Sequence, residues 1–118
     1  MEQTWRWFGP KDPIRLDNIR EAGATGIVTA LHQIPGGTAW SDAAVVERKT
    51  MIEQAGLRWS VVESIPVTPA LKARTAQWRS DIEAWKASLR ALGKAGVRTV
   101  CYNFIPIIDW TRTDLAYP

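Results

Sequence analysis

Polar side chains follow four apolar, strand-like segments of this 118-residue sequence. They are Arg6 and Trp7 at the end of the first segment, His32 after the second, Glu63 in the third, and Asn103 with Asp109 beyond it after the fourth. The carboxyl ends of parallel strands share one edge of a sheet or barrel. We therefore expect these side chains to converge on one site.

Each of these residues has a defined chemical use. Arg6 lies between two tryptophans and can hold a carboxylate through two parallel hydrogen bonds. His32 can act as a general acid or base, or donate to a hydroxyl of a polyol. Glu63, inside an apolar strand, requires a partner such as a neighbouring arginine, and Asn103 can bind a hydroxyl. Each residue also has an ordinary structural alternative: Arg6 as a surface residue, His32 as a loop residue and Asn103 as a turn residue. We predict Arg6, Trp7, His32, Glu63 and Asn103 as substrate-binding residues and leave the catalytic residue unassigned.

Other chemistry-bearing residues give weaker signals. Cys101 lies within a strand with no His or Cys near it in sequence, which favours an inert, buried thiol. Gly36 and Gly37 lack the pattern of a phosphate-binding loop. No His, Cys and Asp residues occur at metal-ligand spacing, so no metal site is predicted within these residues. The motifs alone do not decide the class of enzyme.

The elements that position these residues alternate regularly. Strands are predicted at residues 3–8, 26–31, 58–64 and from 98 onward, and helices at about 13–22, 41–55 and 71–95, the last with a potential irregularity near Thr75. An Ala–Gly pair ends each helix. Asp12 before Pro13 is predicted to cap the first helix, and Ser41 the second.

Two helical faces follow from residue spacing. In the second helix, Val45 and Ile52 share the apolar face, whereas Arg48 is placed among the more exposed positions. The third helix carries a continuous stripe that is expected to pack on the sheet. Its members are Trp78, Ile82, Trp85, Leu89 and Leu92.

Strands separated by helices predict a parallel α/β sheet with right-handed crossovers. A complete open sheet of four strands is one architecture, and the first half of a (β/α)8 TIM-type barrel is the other. A complete barrel needs about 250 residues, and no fourth helix follows the last predicted strand. We therefore predict that residues 1–118 form a single partial domain, the amino-terminal half of such a barrel, with about four strands and three helices.

Composition and charge limit the classes of partner and the compartment that we expect. The net charge is +3 without a long run of Lys or Arg, so no nucleic-acid partner is expected. The seven tryptophans are spread along the chain, as core and pocket-wall residues are. The single cysteine suits a reducing compartment, no leader follows Met1, and no apolar run reaches the roughly 18–20 residues of a membrane span. We predict a cytoplasmic protein without a membrane partner.

Four collinear blocks of the sequence resemble one family. They are residues 5–10 (WRWFGP), 22–32 (AGATGIVTALH), 59–66 (WSVVESIP) and 99–112 (TVCYNFIPIIDWTR). These blocks are similar to the amino-terminal part of D-mannonate dehydratase, and the likeness extends over essentially the whole chain. The third and fourth blocks are long and unusual in composition, which makes the resemblance specific.

The resemblance implies a sugar-isomerase-like barrel and a lyase that removes water from D-mannonate to give 2-keto-3-deoxy-D-gluconate in hexuronate breakdown. It implies Mn²⁺ or Fe²⁺, held by His, Cys and Asp ligands on later strands, so Cys101 and His32 are not assigned as ligands. The implied chemistry is loss of the proton alpha to the carboxylate, with the metal aiding departure of hydroxide.

Members of that family are longer than this chain, which leaves alternatives open. A non-catalytic half-barrel remnant or interaction module is one, and another sugar isomerase or epimerase barrel is a second. A half barrel exposes sheet edges. The expected partners are therefore a sugar acid and either further copies of the chain or the missing half of the barrel.

Overall fold

The computed structural model describes residues 1–104, and the predicted contribution of Asp109 lies outside them. The elements are β1 (Thr4–Arg6), α1 (Leu16–Glu21), β2 (Gly26–Thr29), α2 (Asp42–Gln54), β3 (Arg58–Val62), α3 (Pro69–Ala73), α4 (Trp78–Lys94) and β4 (Thr99–Val100). The alternation of strands and helices is confirmed, although each strand is shorter than its predicted segment. No helix within the described part of the chain has the length and apolar character that a bilayer crossing requires.

The four strands form one parallel sheet in the order β1-β2-β3-β4. Every strand pairs with its neighbour in sequence, so the order never reverses as it does in a doubly wound open sheet. With right-handed crossovers, this order puts all the helices on one face. The arrangement is that of consecutive units of a (β/α) barrel, which confirms the predicted fold class.

The core lies between the sheet and these helices. Ile27 and Val62 from the strands are fully buried with Ile19, Val45 and Ile52 from α1 and α2. Leu92 of α4 completes the same cluster. Val28 and Val61, on the opposite face of the sheet, are half-buried. The helix-covered face therefore provides the hydrophobic stabilisation, and the opposite face carries the polar strand ends.

A β-bulge at Ser60 sets the direction of the third strand end. Ile27 pairs with Trp59 but Val28 pairs with Val61, so Ser60 has no opposite residue on β2. Because side chains alternate along a strand, the extra residue reverses the faces that follow it. Val62 consequently enters the core, and Glu63 lies on the face opposite the helices.

Helix ends follow the sequence in most places. Ser41 Oγ accepts a hydrogen bond from the Ala44 backbone N–H, which confirms the predicted cap of α2. The Ala–Gly pairs follow α1, α2 and α4, and Gly23 adopts φ 98°, which favours glycine. The prediction for Asp12 was wrong. Its carboxylate accepts from the backbone N–H groups of Phe8 and Ile14, and α1 begins only at Leu16.

The predicted third helix is two helices, so the expected number of three helices was wrong. Arg74 ends α3 in a left-handed conformation, φ 54°, and α4 begins at Trp78, so the irregularity predicted near Thr75 is a full break. The stripe on α4 is only partly core. Leu92 is buried and Leu89 is 38% exposed. Ser88 and Ala91 are buried instead, because α4 is rotated relative to the predicted face.

Candidate functional site at the strand ends

Arg6, His32 and Glu63 meet at the carboxyl ends of β1, β2 and β3. Arg6 Nε forms an ion pair with Glu63 Oε2, and His32 Nε2 lies 2.5 Å from Glu63 Oε1. The Glu63 side chain is 13% exposed, whereas Arg6 is 57% and His32 36% exposed. The Glu63 carboxylate is thus the buried partner of two side chains, Arg6 and His32, that are open to solvent. We call these three residues the strand-end cluster.

Phe8 is a fourth member of the neighbourhood that the sequence analysis did not assign. The Arg6 guanidinium lies 4.7 Å from the Phe8 ring centroid, and the Phe8 and His32 rings are 5.8 Å apart. Such cation–π and ring contacts restrict the orientation of both polar side chains. The available signal was spacing, because Phe8 is two residues beyond Arg6 and hence on the same side of an extended chain.

Backbone contacts fix the strand ends beneath the cluster. The Trp7 N–H donates to the Val28 carbonyl at 2.9 Å, and the Glu63 N–H donates to the Thr29 carbonyl at 3.0 Å. The buried Thr29 hydroxyl donates to the Trp7 carbonyl at 2.5 Å. These bonds join β1, β2 and β3 directly behind the three polar side chains.

Two predicted site residues are not brought into the strand-end cluster. Trp7 is 3% exposed and lies in the core on the helix side, where its Nε1–H donates to the Ile14 carbonyl at 3.2 Å. Asn103 follows β4 and is half-buried. Within residues 1–104, no hydrogen bond or ion pair joins Asn103 to Arg6, His32 or Glu63.

Arg48 corrects the expectation that it lies among exposed positions of α2. The residue is 5% exposed and occupies the same helix face as Val45 and Ile52, three and four residues away. Burial lowers the pKa of the Arg48 guanidinium, and the neighbouring Glu47 carboxylate acts in the opposite direction. Arg48 also borders a surface cavity of about 420 Å³ that reaches His32 and Phe8.

Cys101 was predicted to be buried, and that prediction was wrong, because the residue is exposed. Its N–H donates to the Val62 carbonyl at 2.9 Å, one residue past the short β4. β4 is paired with β3, and no further strand flanks it within the described residues. A position that would be interior in a central strand is therefore open to solvent.

Exposure of Cys101 has a direct chemical test. The native chain is expected to react with one equivalent of a thiol reagent as fast as the chain in denaturant, because no burial protects the sulfur. Cys101→Ser should abolish the reaction, since the sequence has one cysteine. A thiol that reacts only after unfolding would contradict the exposed position.

The described residues do not supply a site for the metal that the family resemblance implies. The Glu63 carboxylate is engaged with both Arg6 and His32. No group of three or more His, Cys, Asp or Glu side chains in residues 1–104 is arranged to hold a metal ion. We therefore derive no chemical step through a metal from these residues, and the location of the ligands stays a prediction.

Sequentially ordered parallel strands with polar groups at their carboxyl ends place the chain in the (β/α)-barrel class of folds, of which it covers the amino-terminal part. The chain belongs to the D-mannonate dehydratase (UxuA) family, because a model of that family matches residues 1–118, which is the whole of this chain. The resemblance found in the sequence is thereby confirmed.

Individual relatives agree with the family match. A mannonate dehydratase of Chromohalobacter salexigens is 58% identical over 118 residues, all of this chain and 30% of the relative. Mannonate dehydratase 2 of Agrobacterium fabrum is 56% identical over 117 residues, again 30% of its length. The crystal structure of mannonate dehydratase from Streptococcus suis serotype 2 superposes with a TM-score of 0.91 at 46% identity, covering 98% of this chain and 33% of that one. The chain thus spans about a third of the length of these proteins.

Proposed function

We propose that this chain is the amino-terminal portion of a carbohydrate hydro-lyase that removes water from D-mannonate to give 2-keto-3-deoxy-D-gluconate, in hexuronate catabolism. The observation that carries the proposal is the family match over every residue from 1 to 118. The strand-end cluster supports it, because it presents polar side chains where barrel enzymes bind their substrates.

The charges of the strand-end cluster suit a sugar acid. The charges of Arg6 and Glu63 compensate each other within their ion pair. An anionic substrate therefore meets no net repulsion. The exposed part of the Arg6 guanidinium is placed to bind the carboxylate, and His32 to bind a hydroxyl, while Glu63 orients both from below.

Catalysis requires more than these residues supply. We assign the strand-end cluster to substrate binding and leave the proton-abstracting base unassigned. Mn²⁺ or Fe²⁺, expected for the family, would be held by residues other than 1–104. On this proposal the 118-residue chain is inactive alone and acts together with the remainder of the barrel.

We extend the proposal to the partners and the location of the protein. Within residues 1–104, β4 pairs with a strand on one side only, and the exposed Tyr102 and Phe104 follow it; both features support pairing with the remaining barrel segment or with another copy of the chain. We also propose a cytoplasmic protein that binds neither nucleic acid nor membrane, on the composition and charge described above. The alternative of a non-catalytic interaction module predicts such pairing without turnover.

A fusion enzyme tests the proposed function. Residues 1–118 of this chain replace the matching segment of the Chromohalobacter salexigens relative, which is 58% identical over that length. We expect the fusion, supplied with Mn²⁺, to convert D-mannonate to the 2-keto-3-deoxy product at a rate within about tenfold of the parent enzyme, since the chemistry is retained and only positioning is altered.

One control and one check of folding accompany the fusion. The 118-residue chain alone, with the same metal and substrate, is expected to form no product. A fusion that folds, as judged by circular dichroism and a cooperative thermal transition, but forms no product would contradict the proposed function. Turnover by the isolated chain would show that the remainder of the barrel is not required.

A further inference from the structure

We propose that Arg48 of α2 is a positioning residue that fixes the ends of β1 and β2, and through them Arg6 and His32. The effect of Arg48 on the positions of these side chains concerns this chain alone, whereas the effect on catalysis rests on the proposed function. Arg48 forms its hydrogen bonds and its ring contact with Ala30, Gln33 and Trp7, and not with Arg6 or His32 themselves. It binds the residues on either side of them.

At the end of β2, Arg48 holds both flanks of His32. Its Nη1 donates to the Ala30 carbonyl at 2.9 Å, and its Nη2 lies 3.3 Å from Gln33 Oε1. Ala30 is two residues before His32 and Gln33 is one residue after it. The turn that carries the imidazole is thus fastened at two points by one guanidinium.

At the end of β1, Arg48 packs against both flanks of Phe8. The guanidinium lies 5.4 Å from the centroid of the Trp7 ring, directly after Arg6 in sequence. It also approaches Gly9, where an added Cβ would lie 3.4 Å from Nη1. Gly9 adopts φ 97°, so the backbone turns here beside the guanidinium. One buried side chain therefore contacts both loops that follow β1 and β2.

The chemistry of this position calls for arginine. The planar guanidinium offers donors in two directions and a flat face for stacking, whereas a lysine ammonium is a point charge without either geometry. A buried charge is retained only where hydrogen bonds compensate the lost hydration, and the Ala30 carbonyl and Gln33 amide oxygen provide that compensation. The other side chains with an ionisable group around the cavity that Arg48 borders are Lys11, Glu47 and His32.

The full 118-residue chain permits a direct measurement, because His32 is its only histidine. We expect proton NMR of the native chain to show a nuclear Overhauser contact between the His32 and Phe8 rings, which are 5.8 Å apart. Arg48→Met should remove that contact and move the His32 ring resonances toward their positions in denaturant. Methyl resonances of Ile52 and Leu92, in the core, should keep their native dispersion.

The matched control is Lys49→Met, the next residue of the same helix, which removes one positive charge at a half-buried position paired with Glu53. It should leave the His32 signals unchanged. Arg48→Lys should give an intermediate effect, because an ammonium can still reach the Ala30 carbonyl but cannot also bind Gln33. Native His32–Phe8 contacts in a folded Arg48→Met variant would overturn the proposal.

Arg48→Lys also keeps the proposal testable if Arg48→Met fails to fold. If Arg48→Met does not fold, Arg48→Lys decides, and native His32 signals in it would overturn the proposal. Unfolding of both variants would also overturn it, because Arg48 would then act on the whole core and not selectively on the strand ends.

The fusion enzyme provides the catalytic measurement. Arg48→Met is expected to raise the KM for D-mannonate about tenfold through misplaced binding groups, with Lys49→Met near the parent value. An unchanged KM in an active fusion would overturn the catalytic consequence. An inactive parent fusion would count against the proposed function only, because the NMR contacts are measured in this chain without substrate.

Discussion

Substituting Glu63 with glutamine is expected to lower kcat/KM of the fusion enzyme for D-mannonate by about a hundredfold, the scale of loss that misplacement of binding groups by about 1 Å produces. Glutamine preserves the size of the side chain but carries no charge. Its single carbonyl oxygen cannot replace the ion pair to Arg6 and the contact to His32 together. Both side chains are then released from their common anchor.

Stability should change little in the same variant. Arg6 is 57% exposed and His32 36%, and ion pairs with such exposed partners contribute about 0–1 kcal/mol. The free energy of unfolding, measured by urea titration, should therefore fall by less than about 1 kcal/mol. The combination of a large kinetic loss with a small loss of stability distinguishes a binding role for Glu63 from a structural one.

Glu53→Gln is the matched control for Glu63→Gln. Glu53 also pairs with a cation, Lys49, but on the exposed side of α2 and away from the strand ends. Its substitution should leave kcat/KM unchanged. If the kcat/KM of Glu63→Gln stayed within twofold of the parent fusion, a difference on the order of 0.4 kcal/mol, the strand-end cluster would not be part of the substrate-binding site.

Trp7→Ala is expected to destabilise the 118-residue chain by about 3–5 kcal/mol, the usual cost of truncating a large buried aromatic residue. Trp7 is 3% exposed, its Nε1–H donates to the Ile14 carbonyl, and its ring stacks against the buried Arg48. The substitution removes all three contributions and leaves a cavity. Because small domains have only about 5–15 kcal/mol of stability, urea unfolding should shift to a much lower midpoint.

Trp5→Ala separates position from residue type. Trp5 lies two residues earlier on the same face of β1 but is 42% exposed. Its replacement should cost on the order of 1 kcal/mol, closer to the range for surface substitutions. Equal losses in the two variants would contradict the placement of Trp7 in the core, which differs from the substrate-binding role that the sequence suggested.

The fold was predictable because its signals are local. Alternating apolar segments, the Ala–Gly pairs after α1, α2 and α4 and the Ser41 cap are features of neighbouring residues, and these predictions were confirmed. The failures have two causes, a local turn that competes with helix capping and the packing of a helix on the rest of the fold. The Asp12 carboxylate caps two backbone N–H groups of a turn and not a helix, and Leu89 is exposed because the packing of α4 favours Ser88 and Ala91.

The candidate site was predictable in part for the same reason. Strand ends are visible in the sequence, so the convergence of Arg6, His32 and Glu63 follows once the strands are parallel. The bulge at Ser60 is not visible, because a strand with an extra residue has no distinct composition. Without it, Glu63 would project toward the helices. The burial of Arg48 was not predicted, because charged residues are mostly exposed, although its spacing from Val45 and Ile52 puts it on their face of the helix.

The sequential order of the strands has a consequence for how the chain is made. Among the strands of residues 1–104, each pairs only with strands adjacent to it in sequence, so no later strand of this part is inserted between two that are already paired. During synthesis, a β–α unit that leaves the ribosome can dock on the unit before it without waiting for distant parts of the polypeptide. Folding of this chain is therefore compatible with growth from the amino terminus, one unit at a time.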